Sequence, residues 1–279
     1  MRIDAHQHFW NFDAARDTWI TDGMSVLRRD FLPEHLLPEL KRNGFHGSIA
    51  VQSDQSENET RFLLELASRH PEILGVVGWV DLCSPTVCDS LRAFAADKKL
   101  RGIRHIAQAE PDDRFLCRQA FWDGIACLKE FGLAYDILVY PRQLPAAIEL
   151  VSRFPAQRFV IDHIAKPTMR SAEQTPWARH MREIATAENV YCKVSGLITE
   201  ADWQHWSPPD IFPYLDIAFE AFGPSRLMFG SDWPVCLLAG TYDRVLKLVC
   251  EYTSSLSENE RAGFFGLNAA KFYGLRDHS

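Results

Sequence analysis

The chain has 279 residues, 47% of them hydrophobic and 24% charged, a globular composition with room for one large domain. Its formal net charge of −7 lacks the basic field that nucleic-acid binders set against phosphates. No apolar run approaches the ~20 residues that span a bilayer and no apolar leader opens the chain, so a cytoplasmic protein without nucleic-acid or membrane partners is expected.

The first predicted element is a strand beginning at Arg2 and delivering His6 and His8 at its end. Residues two apart in a strand share a face, so the two imidazoles sit side by side, an arrangement suited to a metal or to proton transfer. A polar, aromatic segment over 11–31 reads as a long loop. Pro33 opens a helix with Leu36, Leu37 and Leu40 on one face, ending at Asn43-Gly44. The pattern then alternates: strand 47–52, helix 58–70, strand 73–81, helix 85–98, strand 100–106, helix 118–131. The second half keeps the rhythm with strand 133–140, helix 141–154, strand 158–164, a longer loop and a helix ending near 188. Strand 190–196 follows, then a loop carrying Trp203 and Trp206, helix 208–222, strand 226–230, helix 242–253 and a short helix pair over 258–273.

Strands alternating with helices imply parallel pairing. Eight such units in ~250 residues, with no linker between them, fit a closed (β/α)8 TIM barrel occupying 1–279 as a single domain. The rival, a doubly wound open sheet, would want a glycine-rich phosphate loop after strand one, and none is present. The seven cysteines are odd in number and scattered without a Cys-x-x-Cys pair, which predicts reduced, mostly buried thiols.

In such a barrel the chemistry lies at the C-terminal strand ends. Those ends read His6 and His8; Gln52; Trp79 and Asp81; Arg104 and His105; Asp136 and Tyr140; Asp162 and His163 with Lys166 beyond; Lys193 and Ser195; Ser231, Asp232 and Trp233. Nearly every strand turns ionisable in its last residues, which outer helices give no reason for and a catalytic mouth does. Strand alternation predicts that only one of Asp162 and His163 faces the mouth, and poses the same choice for Arg104 and His105. Asp232 stands out, because Gly230-Ser231-Asp232-Trp233-Pro234 stops a strand abruptly at a carboxylate before a pre-proline tryptophan. His46, His70, His180, His205 and His278 fall on turns, helices or the tail and read as surface histidines.

His6-x-His8, Asp162-His163-Ile164-Ala165-Lys166-Pro167 and Gly230-Ser231-Asp232-Trp233-Pro234, with the ending Gly266-Leu267-Asn268-Ala269-Ala270-Lys271-Phe272-Tyr273-Gly274, together resemble the amidohydrolase superfamily, in its branch of metal-dependent hydrolases that contains sugar lactonases. The resemblance implies a hydrolase opening small aldonolactones of the fucono, rhamnono or galactono kind. Metal-binding members usually add a histidine at strand five, where this chain has only Asp136. Two alternatives follow: one divalent ion, zinc or manganese, on His6, His8 and Asp232, or a metal-free site as in related pyrone lactonases.

In either case Asp232 is the expected general base, with His163 and either His8 or the ion polarising the carbonyl. Arg104, Asp136, Tyr140, Lys166 and Lys193 are the expected partners of the sugar hydroxyls, and Trp79 or Trp233 the apolar platform under the ring. No Gly-x-Ser-x-Gly elbow is present, which disfavours a serine nucleophile. The rival functions are a metal-dependent, non-hydrolytic decarboxylase and a catalytically inactive barrel that binds a sugar or a partner protein.

Overall fold

The computed structural model describes residues 1–169 and 174–275; His278 lies outside them. Eight parallel strands follow one another in chain order: β1 (Ile3–Gln7), β2 (Gly47–Val51), β3 (Ile73–Gly78), β4 (Leu100–His105), β5 (Ala134–Ile137), β6 (Phe159–Ile161), β7 (Val190–Val194) and β8 (Leu227–Phe229). The ring closes where Gln7 bridges Trp233 in parallel, with Asp232 N donating to His6 O at 2.9 Å and His8 N to Trp233 O at 2.7 Å. This is the expected (β/α)8 barrel. The strands are shorter than the apolar runs that announce them, most of all β6, whose last predicted residues leave the sheet as a tight turn.

The outer layer is built from α1 (Pro33–Arg42), α2 (Glu57–Arg69), α3 (Val87–Ala95), α4 (Gln119–Leu128), α5 (Leu144–Arg153), α6 (Thr175–Ile184), the short α7 (Leu197–Glu200), α8 (Pro208–Phe222) and α9 (Tyr242–Tyr252). α10 (Glu258–Ala262) and α11 (Asn268–Tyr273) finish the chain. Their starts obey local chemistry: Ser56 accepts from Glu59 N to cap α2, and Pro33 and Pro208 occupy first helical positions where no N–H is needed. α7 lies in the segment expected to be loop. None of the described helices is long and apolar enough to cross a membrane.

Two apolar clusters follow from the strand period. One fills the space between strands and helices, with Ile103, Tyr135, Phe159, Cys192 and Phe229 facing outward onto the helical layer. The other lies inside the barrel, where Ile3, Ala5, Ile49, Val77, Val160 and Met228 pack against Phe272 and Tyr273 of α11. α11 therefore plugs the bottom, leaving the strand C-termini as the open end. One expectation is corrected here: Cys88 of α3 and Cys127 of α4 are joined in a disulfide, while Cys83, Cys117, Cys192, Cys236 and Cys250 are free. The two residues lie on neighbouring helices 39 positions apart, a proximity that sequence spacing does not reveal.

Candidate active site

The barrel interior above the apolar plug is a layer of buried charge. Lys193 of β7 ion-pairs with Asp136 of β5 and, at 3.0 Å, with Asp162 just beyond β6. Arg104 of β4 donates to Asp162 at 2.9 Å and to the carbonyl of Gln52, whose amide returns a hydrogen bond to Arg104 O at 3.1 Å. Tyr273, rising from the plug, donates to Asp136 at 2.7 Å. Burial pushes the Asp136 pKa up to about 6 against the pull of Lys193. Burial acts the same way on Asp162, but Lys193, His6 and Arg104 outweigh it and hold that carboxyl well below the usual range.

Above this layer three imidazoles converge on one carboxylate. Asp232 Oδ1 lies 3.3 Å from His8 Nε2, 3.8 Å from His6 Nε2 and 3.9 Å from His163 Nε2. Burial would raise the Asp232 pKa, yet His163, the hydrogen bond with His8, and His6 together hold it well below the ordinary value, so it is ionised. Burial pushes His163 down to about 3 against the attraction of Asp232, and His6 also well down, so both imidazoles are neutral at pH 7.

Each imidazole has a partner on its Nδ1 side. His8 Nδ1–H donates to Val51 O at 2.7 Å, which turns Nε2 toward Asp232. His163 Nδ1 lies 2.9 Å from Ser195 Oγ; a hydroxyl donating there puts the proton on Nε2, facing the carboxylate. His6 Nδ1 has both kinds of partner, the Lys193 ammonium at 3.2 Å and Asp162 Oδ1 at 3.4 Å, so either tautomer is satisfied.

Backbone geometry produces this convergence. The β1–β2 register slips between Asp4 and Gln7, so that His6 and His8 turn inward although Ile3 and Ala5 already occupy the interior. Asp4 holds the slip in place by accepting from His6 N at 3.2 Å and from Ser231 N at 2.9 Å. After β6, His163, Ile164, Ala165 and Lys166 are all left-handed, with φ between 46° and 56°. Each such non-glycine residue costs roughly 1–2 kcal/mol. The turn is held by Lys166 N donating to His163 O at 2.8 Å and by Trp177 Nε1 donating to Ile164 O at 2.8 Å. It corrects the expectation drawn from strand alternation: Asp162 and His163 both reach the centre, one below the other. Asp232 is likewise left-handed, with φ 56°, before a cis Trp233–Pro234 bond.

A cavity of about 580 Å³ opens over this floor. Of the residues expected from sequence, His8, Arg104, Tyr140, His163, Lys166 and Asp232 line it. Lys166 meets Glu200 at 3.3 Å on the rim. Asp136 and Lys193 do not line it: both are wholly buried in the charged layer beneath, where each holds the other. Nor does Trp233, which is buried against Phe9 and Phe31. Trp79 faces outward with His105, donating to its Nδ1 at 3.4 Å, and His105 in turn stacks on Phe115 and meets Glu110 at 2.7 Å. These four residues therefore lie outside the substrate-contacting surface assigned to them. Reading the strand ends also missed the loop residues that form the walls, among them Trp10, Trp19, Met24, Asp54, Gln55, Gln108, Val235 and Leu238. Loops carry no periodicity, and only the aromatic density of the segment after β1 hinted at them.

His6, His8 and Asp232 each offer a donor atom, and their separations of 3.2 to 3.8 Å suit three ligands around one ion. The chemistry of the set fits a divalent metal: an ionised carboxylate, His8 oriented by the Val51 carbonyl with Nε2 facing the other two groups, and His6 able to take the matching tautomer by donating to Asp162.

Comparison with known proteins gives a consistent picture. Residues 3–275 match the family model described as amidohydrolase. An L-fucono-1,5-lactonase of Burkholderia multivorans is 44% identical, the match covering 99% of this chain and 96% of that protein. One from Burkholderia ambifaria is 41% identical over 98% and 95%. The crystal structure of an amidohydrolase from Burkholderia multivorans with bound zinc, 44% identical, superposes with a TM-score of 0.95 over 99% of this chain and 100% of that one.

Proposed function

The chain belongs to the amidohydrolase family, and from that premise we propose that it opens a sugar lactone of the L-fucono-1,5-lactone class to the aldonic acid by carboxylate-assisted attack of water. The observation carrying this reading is the ionised Asp232 facing three imidazoles at the floor of a cavity large enough for a small ring. The match to lactonases at 41–44% identity over nearly the full length supports the substrate class.

Asp232 takes a proton from the attacking water, whose oxygen adds to the lactone carbonyl carbon. His163 donates from Nε2 to the oxyanion that develops; one such donor is typically worth ~3–4 kcal/mol in the transition state. The tetrahedral species collapses by breaking the bond to the ring oxygen, and Asp232 returns its proton to the departing alkoxide. Arg104, Tyr140 and Lys166 meet the ring hydroxyls from the cavity wall. His6, His8 and Asp232 would hold one divalent ion, for which we favour zinc; bound there it supplies Lewis-acid polarisation of the carbonyl. A lactone is already an activated ester, so modest stabilisation suffices, and ~8 kcal/mol corresponds to a millionfold acceleration.

The decarboxylase reading would require free cations for a substrate carboxylate. Lys166 is paired with Glu200, and Lys193 and Arg104 are engaged by buried aspartates. An inactive binding barrel would not need a carboxylate held ionised at the convergence of three imidazoles.

The test is a proton-release assay against a panel of aldonolactones, with and without added zinc, on wild type and Asp232→Asn. We expect turnover of L-fuconolactone by wild type and a loss of about a thousandfold or more in kcat for the variant, with thermal unfolding preserved. A folded Asp232→Asn enzyme with full lactonase activity overturns the assignment. Exhaustive chelation that leaves the rate unchanged removes the ion from the mechanism while leaving the rest standing.

A further inference from the structure

The wall of the cavity is divided by strand of origin. Polar side chains reach it from the loops after β2 (Ser53, Asp54, Gln55), β4 (Gln108), β5 (Tyr140), β6 (Lys166) and β7 (Thr199, Glu200), interspersed with Ile106, Ala109 and Leu138. Above the catalytic floor, the loops after β8 and β1 contribute Val235, Leu238, Trp10, Trp19 and Met24 and nothing polar. β8 and β1 are neighbours in the closed ring, and the turn Asp22–Leu27 packs on the turn Val235–Leu238, so these apolar residues form one continuous sector. Trp203, from the β7 loop, adjoins it across α7.

The two innermost indoles bring no free donor to this sector. Trp10 Nε1 donates to Arg29 O at 3.0 Å and Trp203 Nε1 to Thr199 O at 2.9 Å, so both present carbon faces. A hydroxyl desolvated against this wall leaves its own hydrogen-bonding capacity unmet, whereas a methyl group loses nothing and gains apolar contact. Across the cavity, the β2–β6 side offers donors and acceptors for several vicinal hydroxyls.

We propose that Met24, Val235 and Leu238 are specificity-determining residues that seat the terminal methyl of a 6-deoxyaldonolactone and disfavour the corresponding hydroxymethyl sugar. This rests on the lactonase reading and sharpens it. The bound ring is then oriented with its hydroxyls toward Asp54, Gln108 and Lys166 and its methyl toward the seam between β8 and β1. Selection is moderate, because an apolar pocket rejects an added hydroxyl only by about one to two orders of magnitude.

L-fuconolactone and L-galactonolactone share every stereocentre and differ only in carrying CH3 or CH2OH at the terminal carbon, so they isolate the effect. With both in the same ring size, we expect wild-type kcat/KM to favour the fucono compound by about 10- to 100-fold. Val235→Thr, which is close to isosteric, and Met24→Gln should each reduce that ratio, and the double variant should bring it within about threefold of unity. Thermal unfolding of each variant establishes that it is folded. Turnover of both lactones with equal efficiency by wild type, or a ratio that neither folded variant moves, overturns the assignment of this wall. Absence of turnover of either lactone by wild type instead overturns the lactonase reading, and the proposed wall falls with it.

Discussion

Lys193 is the side chain whose surroundings speak most directly about its role. Its ammonium is wholly buried, touches Asp136, Asp162 and His6, and has no path to the cavity. A buried charge is tolerated only when paired, and removing one partner leaves the other uncompensated at a typical expense of 3–5 kcal/mol. Lys193→Met should therefore lower the urea-derived unfolding free energy by about that amount. It should also change kcat more than KM, because the ammonium orients His6 and meets no substrate. A variant with wild-type stability and a raised KM would instead return Lys193 to the set of hydroxyl-binding residues. His163 shows the complementary situation: burial keeps it neutral, and Ser195 Oγ, 2.9 Å from Nδ1, orients the ring. The ring is oriented by a hydroxyl that reading the sequence placed among the polar strand ends without a task.

At the level of the element, the turn after β6 decides how the centre is assembled. Four consecutive left-handed residues bring Asp162, His163 and Lys166 to three different heights of one cavity. Glycine adopts this conformation without strain, so Ala165→Gly relieves strain while losing one buried methyl. Its unfolding free energy should fall within about 1 kcal/mol of wild type on either side. The same change at Ala147, buried in regular α5, should cost about 1 kcal/mol or more through helix propensity and lost packing. Equal losses at the two positions in urea titrations would show that the turn is unstrained. Gly196 belongs to the same arrangement: it is itself left-handed at φ 59°, and a Cβ there would lie 2.6 Å from His163 Nδ1. The sequence made the units legible because apolar periods of two and 3.6 survive in single segments, and the polarity of strand ends located the open face. It could not reveal the left-handed turn or the register slip in β1, since both arise from contacts between distant segments. For the same reason it assigned Asp136, Lys193, Trp79 and Trp233 to the mouth: a polar residue near a strand end looks the same whether it lies above the catalytic floor or below it.

For the whole molecule, the buried ionisable groups set how stability depends on pH. His6, His105 and His163 have pKa values lowered by burial, so the unfolded chain gains their protons below about 6.5 while the folded chain does not, and acidification destabilises. Asp4 and Asp136, raised by burial to about 6, act in the opposite sense: between about 6 and 4 the folded chain takes up protons that the unfolded chain does not. Glu59, also raised by burial, acts with the two aspartates, so the opposing proton uptakes largely offset one another and stability should decline at most gently from near neutrality to about pH 4. Below that the unfolded aspartates are protonated too and the compensation ends. Asp162 and Asp232, held far below their usual range by their cationic and imidazole neighbours, then add their own loss, and the decline should steepen severalfold. Urea denaturation midpoints at pH 8, 6, 5, 4 and 3.5 measure this profile directly. A steep fall beginning at pH 6.5 would mean that Asp4 and Asp136 remain ionised in the fold, and an acidic maximum would mean that the histidines are charged there. Asp136→Asn removes one compensating carboxylate, so its midpoint should fall more steeply than wild type between pH 6 and 4 and run parallel to it above pH 7.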